Sequence, residues 1–178
     1  MNERTDLVLE RVLNAPRDRV WRAWTEAERL KQWWCPKPWR VDECRIELEP
    51  GGEFYTLMRG PQAGEEHAVS GCYLDLVERE RIVFTLLLEK GFRPASVSEG
   101  AFRFTAVISF SDAGDGKTLY RALVMHASEA DRDAHARIGF NEGWSRAAAQ
   151  LEELLAAARP SDEIGRAGMA GRNGEPRP

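Results

Sequence analysis

The sequence predicts an α+β fold in which a curved antiparallel sheet of about six to seven strands wraps around one long C-terminal helix, with two short helices after the first strand. Three observations predict it. From Trp39 to Met125, apolar and polar residues alternate with a period of two. Turn sequences such as Pro50-Gly51-Gly52 and Ala113-Gly114-Asp115-Gly116 interrupt that alternation at short intervals, which joins successive strands as antiparallel neighbours. From about Glu129 to Ala158 the period changes to that of an amphipathic helix.

Leu7 to Leu13 reads as the first strand. Asn14 or Ala15 closes the turn, and Pro16 falls in the first turn of a helix carrying Val20, Trp21 and Trp24. Thr25 reads as the N-cap of a second short helix, with Glu28 completing a capping box before Leu30 and Trp33. In the sheet, Cys44, Ile46 and Leu48 mark one face of a strand, and Phe54, Thr56 and Met58 one face of the next. His67 to Val77 makes another strand, and Arg81 to Glu89 a more uniformly apolar one. Beyond a Gly/Pro/Ser-containing loop around Gly91 to Gly100, Phe102, Phe104, Ala106, Ile108 and Phe110 share a face. The Gly114 hairpin then leads into Thr118 to His126.

The long helix places Ala136, Phe140, Gly143, Trp144, Ala147, Leu151, Leu154, Leu155 and Ala158 on one stripe, which must lie on something apolar. Gly139, Gly143 and Ala147 are small, and small residues at such a contact leave room for a cavity. Residues 1–158 are therefore expected to form a single domain. Residues 159–178, rich in Gly, Pro and Arg with only Ile164 and Met169 as larger apolar groups, are expected to be disordered.

Composition narrows the partners. The chain has 178 residues, 43% hydrophobic and 30% charged, and a net charge of −4, so it offers no broad cationic surface for nucleic acid or an anionic membrane. The polar start, Met1-Asn2-Glu3-Arg4-Thr5-Asp6, does not read as a secretory signal, and no run approaches the roughly 20 apolar residues of a membrane span. A cytoplasmic location is expected. Cys35, Cys44 and Cys72 lack metal-type spacing and read as reduced thiols. The signatures of phosphate loops, serine nucleophile elbows and zinc-protease helices are missing, and no cofactor or metal is called for.

Four strings carry a family resemblance: Asn14-Ala15-Pro16 with Val20-Trp21, Leu30-Lys31-Gln32-Trp33-Trp34, Pro50-Gly51-Gly52-Glu53-Phe54, and Gly71-Cys72-Tyr73-Leu74. Together with Met125-His126, His135, Gly139-Phe140, Gly143-Trp144 and Gln150-Leu151, they resemble bacterial homologues of the Hsp90 ATPase activator. These belong to the START/Bet v 1-like, or polyketide cyclase-like, superfamily. The resemblance covers about residues 5 to 157 and implies a helix-grip fold with a pocket between the long helix and the sheet. The family name points to chaperone activation, while the superfamily holds binders and enzymes of many apolar molecules.

The expected function is binding of a small, mostly apolar or aromatic molecule, and the expected pocket residues are Trp34, Trp39, Phe54, Met58, Tyr73, Phe104, His126, Phe140, Gly143, Trp144 and Ala147. Trp33 and Trp34 cannot both point inward, because adjacent helical positions diverge by about 100°. Candidates for acid/base work are His126 at the end of the last strand, His135 at the start of the long helix, and Arg121. Arg121 lies inside the pocket if Leu119, Leu123 and Met125 face inward, and is solvated if Tyr120, Ala122, Val124 and His126 do. The rival functions are an enzyme of the polyketide cyclase or hydrolase type and a chaperone-interacting module. The run Val83-Phe84 with Leu86-Leu87-Leu88 is apolar on both faces, which makes a homodimer an additional expectation.

Overall fold

The computed structural model describes residues 2–96 and 103–157. Strand β1 (Asp6–Leu13) is followed by helices α1 (Arg17–Thr25) and α2 (Ala27–Leu30). Seven strands form one antiparallel sheet in the order β1-β9-β8-β5-β4-β3-β2, with β2 Arg40–Ile46, β3 Glu53–Arg59, β4 Glu66–Val77, β5 Arg81–Thr85, β8 Thr105–Asp112 and β9 Thr118–Met125. Short strands β6 (Leu88–Glu89) and β7 (Arg93–Pro94) pair separately. Because β1 and β2 are opposite edges of the sheet, the connecting α1 and α2 must cross the sheet, and they close one end of its concave face. Register shifts between Val41 and Glu43 and between Tyr73 and Asp75 add the local twist that bends a sheet.

The alternation read from the sequence sets the faces. On β8 and β9 the residues Ala106, Ile108, Phe110, Tyr120, Ala122 and Val124 are all buried. Arg121 therefore points outward, where its Nε lies 3.7 Å from Glu10 Oε1 on the neighbouring strand. Phe102 and the segment 158–178 lie outside the described residues.

Several expectations are corrected. The long helix is two helices, α3 (Glu129–Arg137) and α4 (Phe140–Ala157). Gly139 between them takes φ +99°, a left-handed conformation that ends α3 and that glycine adopts without a steric penalty. Ser128 caps α3 by accepting from Asp131 N. Thr25 does not cap α2: its hydroxyl donates to Trp21 O at 2.9 Å, so it completes α1, and Glu26 occupies the cap position. Leu48 lies beyond the end of β2 and is exposed. The apolar run from Arg81 to Glu89 is interrupted at Leu86-Leu87, where Thr85 Oγ1 accepts from Leu87 N at 3.2 Å. Phe84 and Leu86 face the core, Val83 is half-buried on the other face, and Leu87 is exposed at the bend.

Gly71 on β4 reflects close strand approach, since a Cβ there would meet Thr85 O of β5 at 2.4 Å. The core fills the concave face from Leu13, Val20 and Trp24 to Phe54, Phe84, Ile108 and Leu151.

Candidate functional site

The concave face is not filled along its whole length. Between the sheet and the α3–α4 pair lies a cavity of about 490 Å³, within the roughly 300–1,000 Å³ of small-molecule sites. One wall is the loop after α2, with Trp33, Trp34, Cys35 and Pro36. The sheet supplies Met58 from β3, Val69 from β4, Phe84 and Leu86 at the end of β5, Phe104 before β8, and Tyr120 on β9. The helices supply His135, Ile138, Gly139, Phe140, Gly143, Trp144, Ala147 and Ala148.

Physical chemistry explains why space remains. On α4 the residues over the cavity include Gly143, Ala147 and Ala148, which carry almost no side chain. A Cβ at Gly143 would meet no atom within 4 Å. The loop wall is held in place by Gln150 on α4. Its Nε2 donates to Trp33 O at 3.0 Å and to Cys35 O at 2.8 Å, and its Oε1 accepts from Lys37 N at 3.0 Å. Trp33 donates through Nε1 to Ala23 O at 3.0 Å and is buried. Trp34 is only half-buried, with its ring 6.0 Å from that of Trp144 and 5.3 Å from that of Trp24. Contrary to expectation both tryptophans border the cavity, although Trp34 N still donates to Leu30 O at 3.0 Å one turn back.

The expected pocket residues Trp34, Met58, Phe104, Phe140, Gly143, Trp144 and Ala147 all come together in the cavity wall. Trp39, Phe54, Tyr73 and His126 do not reach it. Phe54 faces the same way but is covered, its ring 5.5 Å from Trp34 and 4.6 Å from Phe84. Tyr73 lies farther back against Phe54 at 5.8 Å. Trp39 is half-buried in the turn before β2. His126 stands one layer behind His135. Residues that sequence reasoning did not assign to the pocket include Phe84, Leu86 and Tyr120. The alternation on β9 left two faces open, and the burial of Tyr120 with Ala122 and Val124 decides between them.

The two histidines meet as the strand-to-helix corner suggested. His126 Nδ1 is 3.0 Å from Thr5 O, and since a carbonyl only accepts, Nδ1 carries a proton. His126 Nε2 lies 2.9 Å from His135 Nδ1, so with both rings neutral His135 Nδ1–H donates to it. The His135 ring stacks on Phe104 with centroids 5.3 Å apart and is buried. Burial, reinforced by the adjacent His126, pushes its pKa down to about 4. Burial also raises the Cys35 thiol to about 11 and holds the Tyr120 phenol far above its ordinary range. The charged residues of the wall, Glu89 and Arg103, are partly exposed, and Arg103 donates to Ser96 O at 2.7 Å. Among the described residues, no three of His, Cys, Asp and Glu gather into a metal-binding group, and no helix is long and apolar enough to cross a membrane.

Known structures share this architecture. A crystal structure of a protein from Nitrosomonas europaea matches with a TM-score of 0.81 at 42% identity, covering 88% of this chain and 97% of that one. A second, from Mycobacterium smegmatis, has a TM-score of 0.71 at 24% identity over 88% and 94% of the two chains. The solution structure of an AHSA1-like protein from Aeromonas hydrophila has a TM-score of 0.64 at 16% identity over 85% and 92%. Comparison with curated proteins yields no match. The sheet gripping a C-terminal helix is the helix-grip, ligand-binding type of domain that the sequence predicts. Residues 14–156 match the family model described as Activator of Hsp90 ATPase homolog 1-like protein, and the chain belongs to that family.

Proposed function

We propose that this protein binds a small, mostly apolar or aromatic molecule in the cavity between the sheet and α4. The observation that carries the reading is the hollow of about 490 Å³ with Trp34, Phe104, Phe140 and Trp144 in its wall. Trp34 and Trp144 are only half-buried, and large rings left half-covered inside a fold forgo contacts that a bound apolar molecule restores. A chaperone-interacting module would instead favour a solid interior.

The test is a thermal-shift screen against apolar and aromatic compounds, with Gly143→Leu as the control. Leucine at that position has open space to grow into and takes up part of the cavity. A ligand present at 100 times its Kd stabilises the native state by about 2.7 kcal/mol. The expected outcome is concentration-dependent stabilisation of the natural protein that Gly143→Leu abolishes while still folding. If no compound class shifts the melting temperature, the reading fails.

A second reading, acid/base catalysis on the bound molecule, draws on the His126–His135 hydrogen bond beside the cavity. Proton transfer works best with a pKa near the operating pH, and about 4 for His135 is well below neutrality. Binding without chemistry is therefore the favoured function.

A further inference from the structure

One polar group lies deep in the cavity, away from its polar rim. Tyr120 lines the hollow and is 2% exposed, yet among the described residues no hydrogen bond reaches its hydroxyl. Its ring stacks on Trp24 with centroids 6.3 Å apart at 25°. The Trp24 Nε1–H is buried and also without an acceptor. A buried hydrogen-bonding group left unmatched is unfavourable and calls for an explanation. The charged wall residues Glu89 and Arg103 do not supply one. Arg103 precedes the Thr105–Met125 end of the β8–β9 pair, whereas Tyr120 pairs with Phe110, about 16 Å along the strands. His135 follows β9 and stands at the Met125 end as well.

We propose, taking the cavity as a ligand site, that it selects an uncharged aromatic or alicyclic molecule carrying a hydroxyl or carbonyl oxygen, and that this oxygen hydrogen-bonds the Tyr120 hydroxyl. The apolar body of the ligand then lies along Trp34 and Trp144. A carboxylate in the same place is disfavoured, because no cationic side chain lines that end of the cavity and a buried charge needs a partner. Burial keeps the phenol of Tyr120 protonated, so it can donate to a carbonyl or accept from a hydroxyl.

The test titrates the full-length protein with 2-naphthol, 4-hydroxybiphenyl, the parent hydrocarbons naphthalene and biphenyl, and 2-naphthoate, by calorimetry and thermal shift at pH 7. The natural protein is expected to bind each phenol about tenfold more tightly than its hydrocarbon, the size of one net hydrogen bond. It is expected to bind 2-naphthoate more weakly than 2-naphthol. Tyr120→Phe should bring the phenol-to-hydrocarbon ratio close to one, keep the hydrocarbon affinity, and melt no lower than the natural protein. Equal affinity for phenol and hydrocarbon, or a preference that survives Tyr120→Phe, overturns oxygen recognition at Tyr120 and leaves the cavity reading standing. A Tyr120→Phe variant that melts markedly lower or fails to fold overturns it too, since the hydroxyl would then have a protein partner. If none of the compounds binds the natural protein, the cavity reading and this one fall together.

Discussion

Along α4 the residues facing the sheet change in size. Leu151 and Leu155 in the second half of the helix are buried, and Arg19 of α1 donates to the carbonyl of Leu155. In that region Val20, Ala23 and Trp24 from α1 fill the concave face. One to two turns earlier, Gly143, Ala147 and Ala148 present little side chain, and the space opposite them stays open. The same helix on the same sheet thus builds a solid core at one end and a pocket at the other. Side-chain volume makes the difference, because the apolar character of the helix face is continuous.

That contrast can be broken by measuring how much each half contributes to stability. Leu151→Ala removes a fully buried side chain from the solid end and is expected to cost about 2–5 kcal/mol in denaturant unfolding. Trp144→Ala removes a larger but half-buried side chain from the hollow end and is expected to cost less, while weakening ligand binding. Equal costs would mean that the hollow end is packed as well as the solid one.

Gln150 joins the two halves, since it sits beside Leu151 and holds the Trp33–Lys37 loop over the cavity. Gln150→Ala leaves the Trp33 and Cys35 carbonyls without their donor and is expected to cost about 1–3 kcal/mol. Ligand affinity should fall further than for a surface control such as Glu153→Ala. An unchanged unfolding midpoint would show that the loop is held by its tryptophans alone.

The solid half was more legible in the sequence than the hollow half. Alternation gave β8 and β9 two faces each but left open which face of β9 is inward, and only the burial of Tyr120, Ala122 and Val124 turns Arg121 outward. It could not assign depth. Phe54 and Tyr73 face the core, but Trp34 and Phe84 stand between them and the cavity, an arrangement set by long-range packing. The helical stripe ran through Gly139 without a signal that this glycine takes a positive φ, so two helices read as one. Trp33 and Trp34 were expected to diverge, yet one is buried and the other half-buried along the same cavity wall. The small residues at Gly143 and Ala147 did announce a void, because a lack of volume is visible in composition.

The histidine corner distinguishes the halves by pH. The depressed pKa of His135 means that the fold favours its neutral form, so between pH 6.5 and about 4 the unfolded chain binds more protons than the native one. Stability from this group is complete above pH 6.5 and is lost as pH falls toward about 4. The hollow end should therefore loosen first in acid. His135→Phe, which retains the stack on Phe104, is expected to show a shallower loss of melting temperature across that window than the natural protein. Parallel curves would mean that acid acts on the fold elsewhere.

The smallest expected effect carries the sharpest sign. Gly143 is a helical glycine whose added Cβ would meet nothing within 4 Å, so Gly143→Ala removes backbone freedom from the unfolded chain without a clash. It should raise stability by about 0.5–1 kcal/mol. The same methyl projects into the cavity and should lower the affinity for any ligand that fills it. A variant that is more stable yet binds less well would show that glycine is kept there for space at a cost in helix stability. Higher stability with unchanged binding would place the ligand away from α4, and unchanged stability would mean that the helix around Gly143 is already loose.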